Sequence, residues 1–214
     1  MDTTVGFTLL ELFQLGGVLM WPLLVFSIVA VGITVERGIF LFYHNLKLND
    51  LNEKLKAFIM EGNIKKAIEF LEGQNRRRVG TQILLTLISR RDLSEYRLEK
   101  AVEAEAAKSI SSLESGFSFL TALGAISPLT GFLGTVMGMI GAFRSIAEAV
   151  DVNAQIVASG IYEALITTVF GLAIAIVAMS AHSLYSNIVD KFTSEVETVC
   201  SDLIIALGDS KNED

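Results

Sequence analysis

The chain has 214 residues, of which 51% are hydrophobic and 19% charged, and its mean hydropathy is +0.52. A water-soluble domain carries nearer ~25% charged residues, so the polar material that covers a solvated surface is in short supply. A single cysteine argues against a disulfide scaffold, two prolines against a Pro-rich linker, and a net charge of −7 against a nucleic-acid binder.

Phe7 to Leu15 (FTLLELFQL) reads as a short amphipathic lead-in at the outer interface, after which Gly16-Gly17 turns the chain inward. Between Glu11 and Glu36 lie 24 residues without Asp, Glu, Lys or Arg. A helix crosses the hydrocarbon core with ~20 apolar residues, so this run is the first predicted span. No Lys or Arg precedes it, and apolar residues resume at Ile39 to Tyr43 after Glu36-Arg37. It is therefore expected to be a retained span and not a cleaved signal. Trp21-Pro22 suits its first turns, where a missing N–H costs least.

The polar segment that follows reads as helical. Leu51, Leu55, Phe58, Ile59, Ala67, Ile68 and Leu71 recur at helical spacing, interrupted by Glu61-Gly62-Asn63. Arg76-Arg77-Arg78 fits anionic lipid headgroups beside an inner leaflet better than nucleic acid. From Glu95 to Ser115 there is no Gly or Pro, and Glu/Lys pairs recur near i,i+4 spacing. This stretch is expected to run unbroken into the second span.

Spans two and three come from charge-free runs of 29 residues between Glu114 and Arg144 and 26 between Glu163 and Asp190. A soluble bundle would show long polar stripes along such helices, and none of the three runs has one. Span three continues through Asp190 to Leu207, with Phe192, Val196, Val199, Leu203 and Ala206 at helical spacing. The predicted fold is all-α. It has three transmembrane helices, with spans two and three extended into a cytoplasmic helical bundle.

Of the 17 basic residues, 13 lie between His44 and Glu114. The positive-inside rule then gives this layout. Residues 1–14 are periplasmic or interfacial, 15–43 are span one and 44–114 are cytoplasmic. Span two covers 115–143, a periplasmic link 144–156, span three 157–189 and a cytoplasmic helix 190–214.

The last two spans differ from the first in their small and polar residues. Gly131, Gly134, Gly138 and Gly171 are candidates for close helix packing, with Gly134-x-x-x-Gly138 as the contact pattern. Packing within one protomer accounts for the glycines by itself. Thr135 lies mid-span, on one heptad line with Thr121 and Pro128; Glu163, Thr167 and Thr168 lie in the outer half of span three. A carboxylate in hydrocarbon costs about 2.5–3.5 kcal/mol, so Glu163 is expected to face a partner, a cavity or water. The hydroxyls could equally bond the carbonyl one turn back.

Ser127-Pro-Leu-Thr-Gly-Phe-Leu-Gly-Thr-Val-Met-Gly-Met-Ile-Gly-Ala-Phe143 resembles the second-span signature of the MotA/TolQ/ExbB proton-channel family. The stretch from Gly160 to Ile176 (GIYEALITTVFGLAIAI) resembles its third, and Gly16 to Leu24 with Glu36-Arg37 resembles the first span of ExbB-type members. A MotA stator subunit has a fourth span and matches less well. The resemblance implies a proton-channel subunit of an inner-membrane motor. It further implies a ring-shaped homo-oligomer, a pentamer, around single-span partners of the ExbD/TolR type, which works on the envelope through a TonB- or TolA-like protein. Thr135, Thr168 and Glu163 fall on the family's polar pore positions, and Thr167 shares the face of Glu163. Val177 stands where many members have proline. No cofactor is expected: protons are the transported species, and a bound phospholipid is compatible with the layout. A Tol-linked subunit and a non-transporting scaffold stay open as alternatives. No catalytic set, metal cluster or nucleotide loop points to an enzyme.

Overall fold

Thr8 opens the first helix, α1 (Leu9–Leu15), through a reciprocal capping box. The Glu11 backbone N–H donates to the Thr8 hydroxyl at 3.3 Å, and the Thr8 N–H donates to the Glu11 carboxylate at 2.9 Å. The computed structural model describes residues 8–44, 46–74, 78–148 and 154–212. Gly16 ends α1, and Gly17, at φ +69°, turns the chain into α2 (Met20–Tyr43). The Trp21 ring meets Phe13 edge-on, with centroids 5.3 Å apart.

The described residues form eight helices. After α2 come α3 (Asn49–Met60), α4 (Ile64–Glu72), α5 (Gly80–Ser89), α6 (Glu95–Leu113), α7 (Phe117–Glu148) and α8 (Ala154–Asn212). Three of them, α2, α7 and α8, are long and apolar enough to cross a membrane. The expected uninterrupted run from Glu95 into the second span is corrected here. Glu114 caps α6, Gly116 takes φ +86°, and α7 begins afresh at Phe117. Only glycine adopts that conformation without strain, so the turn is fixed by one residue at the boundary of the apolar run. The third span and its extension, by contrast, form one 59-residue helix. Arg76, Arg77 and positions 149–153 of the link lie outside the described residues.

The chain divides into two compact units. The first comprises Met1–Glu36 with Gly116–Ser183, and the second Arg37–Ser115 with Leu184–Asp214.

In the second unit, large aliphatic side chains point inward. Leu51, Leu55 and Ile59 of α3, Leu71 of α4, and Ile83, Leu84, Leu87 and Ile88 of α5 are all buried. Phe192, Val196, Val199 and Leu203 of α8 are buried as well. Burying each such side chain stabilises by about 1.5–3 kcal/mol. Gly62, at φ +68°, makes the break between α3 and α4, and the Asn63 side chain accepts from the Lys66 N–H to cap α4. Leu48 offers α3 no side-chain cap. Glu195 of α8 supplies one instead, accepting the Leu48 and Asn49 N–H groups at 2.7 and 3.0 Å. Lys56 and Asn52 both donate to Asp202, at 2.8 and 3.3 Å.

The first unit packs the other way round. Its buried positions are mostly small (Ala30, Gly131, Gly134, Ala164, Ala175, Ala178), while Leu129, Phe132 and Val169 are about two-thirds exposed. That pattern suits helices surrounded by hydrocarbon, where close backbone approach replaces hydrophobic burial.

Candidate functional site

The site is built on the α7–α8 pair of the first unit. Small residues let the two backbones touch. A Cβ on Gly171 would lie 2.5 Å from the Ser127 carbonyl oxygen, one on Gly131 2.9 Å from that of Thr167, and one on Gly138 2.8 Å from that of Gly160. Each step toward the end of α7 meets a step back toward the start of α8, so the pair is antiparallel. Backbone atoms have no rotamer to yield, and contacts this close exclude any side chain at those positions. All four glycines singled out from the sequence (Gly131, Gly134, Gly138 and Gly171) lie on this seam.

Thr167 and Thr168 lie along the same seam, whereas the Thr135 hydroxyl does not. Thr168 donates its hydroxyl across the helix pair to the Gly131 carbonyl at 3.0 Å. Thr167, fully buried, donates to the Ala164 carbonyl at 2.8 Å and lies 3.4 Å from the Gly131 oxygen. In the α-helical ladder, the N–H of Thr135 also points to Gly131. Thr135 turns its hydroxyl back to the Phe132 carbonyl at 2.7 Å, on the exposed side of α7. The Gly131 carbonyl thus receives both Thr168 and Thr167 from α8 and, through the helix ladder, the N–H of Thr135. Each hydroxyl has a carbonyl to donate to and keeps lone pairs free to accept. Such a group can bond a protonated carboxyl or a water without carrying a fixed charge.

Glu163 stands one turn before Thr167 and is half-buried. Among the described residues it forms no hydrogen bond or ion pair. Its carboxylate lies against Gly17, in a cleft of about 740 Å³ lined by Gln14, Gly16, Gly134, Gly138 and Thr167. Glu163 and Thr167 therefore share one face, toward α7 and the turn before α2, and Thr168 lies one residue round the helix. His182 packs edge-on to Phe117, with centroids 5.7 Å apart.

Two participants are not evident from the sequence. Ser127 is fully buried beside Pro128, with its hydroxyl unpartnered among the described residues. Gly17 meets Glu163 across 146 residues of sequence, a pairing that no periodicity signals.

Comparison with known proteins decides the family. The MotA/TolQ/ExbB proton channel family matches residues 60–198. The chain belongs to that family. An ExbB-like biopolymer transport protein of Synechocystis is 34% identical over 89% of this chain and 78% of its own length. Biopolymer transport protein exbB1 of Vibrio cholerae is 28% identical over 89% of this chain and 84% of its own. Biopolymer transport protein ExbB of Xanthomonas campestris is 34% identical over 54% of this chain and 44% of its own. With three apolar helices long enough to span and this membership, the chain is a membrane subunit of the ExbB/TolQ/MotA type.

Proposed function

We propose that the chain is the proton-channel subunit of an inner-membrane energy-transducing complex of the ExbB–ExbD–TonB type. Copies form a ring, a pentamer in the family reading, around single-span ExbD/TolR-like helices, and a TonB- or TolA-like protein delivers the work to the outer membrane. The observation that carries this reading is the hydroxyl seam at Gly131, where Thr168 reaches across from α8 to α7 inside an otherwise apolar helix pair. One proton crossing ~100 mV releases about 2.3 kcal/mol, so hydroxyls that pass protons without trapping them suit the task. Thr135, Thr168 and Glu163 form the proton pathway, with Thr167 behind Glu163. The ExbB names of the relatives favour TonB-linked over Tol-linked service.

Thr168→Val and Thr135→Val test it. Valine keeps the shape of threonine and removes the hydroxyl, so gradient-driven uptake in cells should stop while the oligomer and its co-purifying single-span partner persist. Thr→Ser should keep partial activity. Wild-type uptake in both valine variants would remove the proton role from these residues.

Orientation needs a reporter other than the native thiol. Cys200 is buried, and burial pushes it up to about 11, leaving little thiolate at neutral pH. Cys200→Ala with Ser201→Cys moves the thiol to an exposed neighbour on the proposed cytoplasmic side. A membrane-impermeant maleimide should label it only after spheroplast lysis, and labelling before lysis would reverse the topology.

A further inference from the structure

We infer that Gly17 is a positioning residue for the Glu163 carboxylate, seating it at the mouth of the proton pathway. The inference rests on the proton role proposed for Glu163. Two features of Gly17 coincide. Its φ of +69° is one that side chains rarely adopt, and a Cβ there would collide with the Glu163 carboxylate, lying 2.8 Å from its Cδ and nearer still to Oε1.

The neighbouring glycine behaves differently. A Cβ on Gly16 would meet Met20 and Ile166 and not the carboxylate, and Gly16 has an ordinary φ of −84°. Among the described glycines, only Gly17 meets the carboxylate. The turn also closes the cleft beside Glu163, because Gln14 and Gly16 line it together with Gly134, Gly138 and Thr167. Among the described residues, no other charged side chain lines that cleft. The carboxylate has no hydrogen-bond partner among the described residues, and the recess at Gly17 is what it packs against. The missing Cβ of Gly17 leaves that recess in the turn, and the carboxylate fills it. A side chain at Gly17 would push the acid away from the turn and out of register with Thr167. For a positioned reacting group, a displacement of about 1 Å costs up to ~100-fold in rate.

Gly62 provides the control. Its φ is +68°, and nothing lies within 4 Å of a Cβ placed there. Alanine at Gly62 therefore bears the same backbone strain as alanine at Gly17, without the collision. Gradient-driven uptake should fall about tenfold or more in Gly17→Ala and stay near wild type in Gly62→Ala. Glu163→Asp withdraws the carboxylate by one methylene, so Gly17→Ala/Glu163→Asp should recover several-fold over Gly17→Ala. Should Gly17→Ala not assemble, Gly17→Ala/Glu163→Ala removes the colliding carboxylate, and the oligomer should return.

Wild-type uptake in Gly17→Ala, equal losses at Gly17 and Gly62, no recovery in the Asp double variant, or no return of the oligomer in the Ala double variant would each overturn the positioning role. Glu163→Gln separates this from the reading beneath it. If Glu163→Gln is inactive and Gly17→Ala is wild type, only the positioning fails. If Glu163→Gln transduces normally, the proton role of Glu163 fails, and the inference goes with it.

Discussion

The two units of this chain differ in the kinds of residue they bury most. The second unit hides leucine, isoleucine and phenylalanine and shows its charges, including Lys56 and Asp202, at its surface. The first hides mostly glycine, alanine and two hydroxyl residues (Ser127 and Thr167), beside a few larger side chains such as Met20, Leu23 and Leu120, and shows Leu129, Phe132 and Val169. Water accounts for the first arrangement, because apolar area is driven out of it. In hydrocarbon that drive is absent, and what remains is backbone contact and polar satisfaction. The difference also explains where function can sit. A hydroxyl in the second unit competes with water, whereas one on the α7–α8 seam is surrounded by groups that offer no alternative partner.

The largest effect expected from this comparison is at Gly134. Its Cβ would strike the Thr167 hydroxyl, whereas a Cβ on Gly141, two turns further along the same helix, meets nothing within 4 Å. Gly134→Leu should split the helix pair, at a cost at or above the usual ~1–3 kcal/mol of overpacking, and the oligomer should be lost on size-exclusion chromatography. Gly141→Leu should assemble normally. If Gly141→Leu fails as well, the open space beside it in one protomer is filled by another copy.

Next in size is a cavity in the second unit. Leu87 is completely buried, and Leu87→Ala should cost about 2–5 kcal/mol, read as a lowered melting temperature of the purified protein. Leu129→Ala, at a position 67% exposed on α7, should change it little. A loss at Leu129 as large as that at Leu87 would mean that the outer face of α7 packs against protein and not lipid.

The comparison also shows why some of the molecule can be read from its sequence. Charge-free runs mark the spans because one carboxylate or lysine in hydrocarbon is expensive enough to be excluded almost everywhere, so its absence is informative. Periodicity marks Leu51, Leu55, Leu71, Val196 and Leu203 because water imposes a buried face. The α6–α7 break escapes both signals: Gly116 sits where charge gives way to apolar sequence, and periodicity has no phase to lose there. The Glu195 cap on α3 is invisible for another reason, since its partners lie 147 and 146 residues away. The threonines fall between these cases. Thr167 and Thr168 are adjacent and chemically identical, and only the position of α7 decides that both hydroxyls approach the Gly131 carbonyl, at 3.4 and 3.0 Å.

The smallest predicted effect concerns charge in the second unit. Hydrogen bonds from Lys56 and then Asn52 hold the Asp202 carboxyl below the usual carboxylate range. A depressed carboxyl stabilises the fold above its unfolded value, ~3.9 for an aspartate, and that contribution is lost as pH falls through the folded value. Both partners of the ion pair are about 40% exposed, so water and salt screen most of it. Asp202→Asn should therefore lower the melting temperature slightly at pH 7, and the gap to wild type should close as pH drops below about 4. Added salt should narrow the gap at pH 7 as well. Coupling between Lys56→Met and Asp202→Asn in a double-mutant cycle should be small and salt-sensitive, as for a solvated pair. A large, salt-insensitive coupling would show that this surface is covered in the assembled protein, and water would no longer account for the arrangement of the second unit at that face.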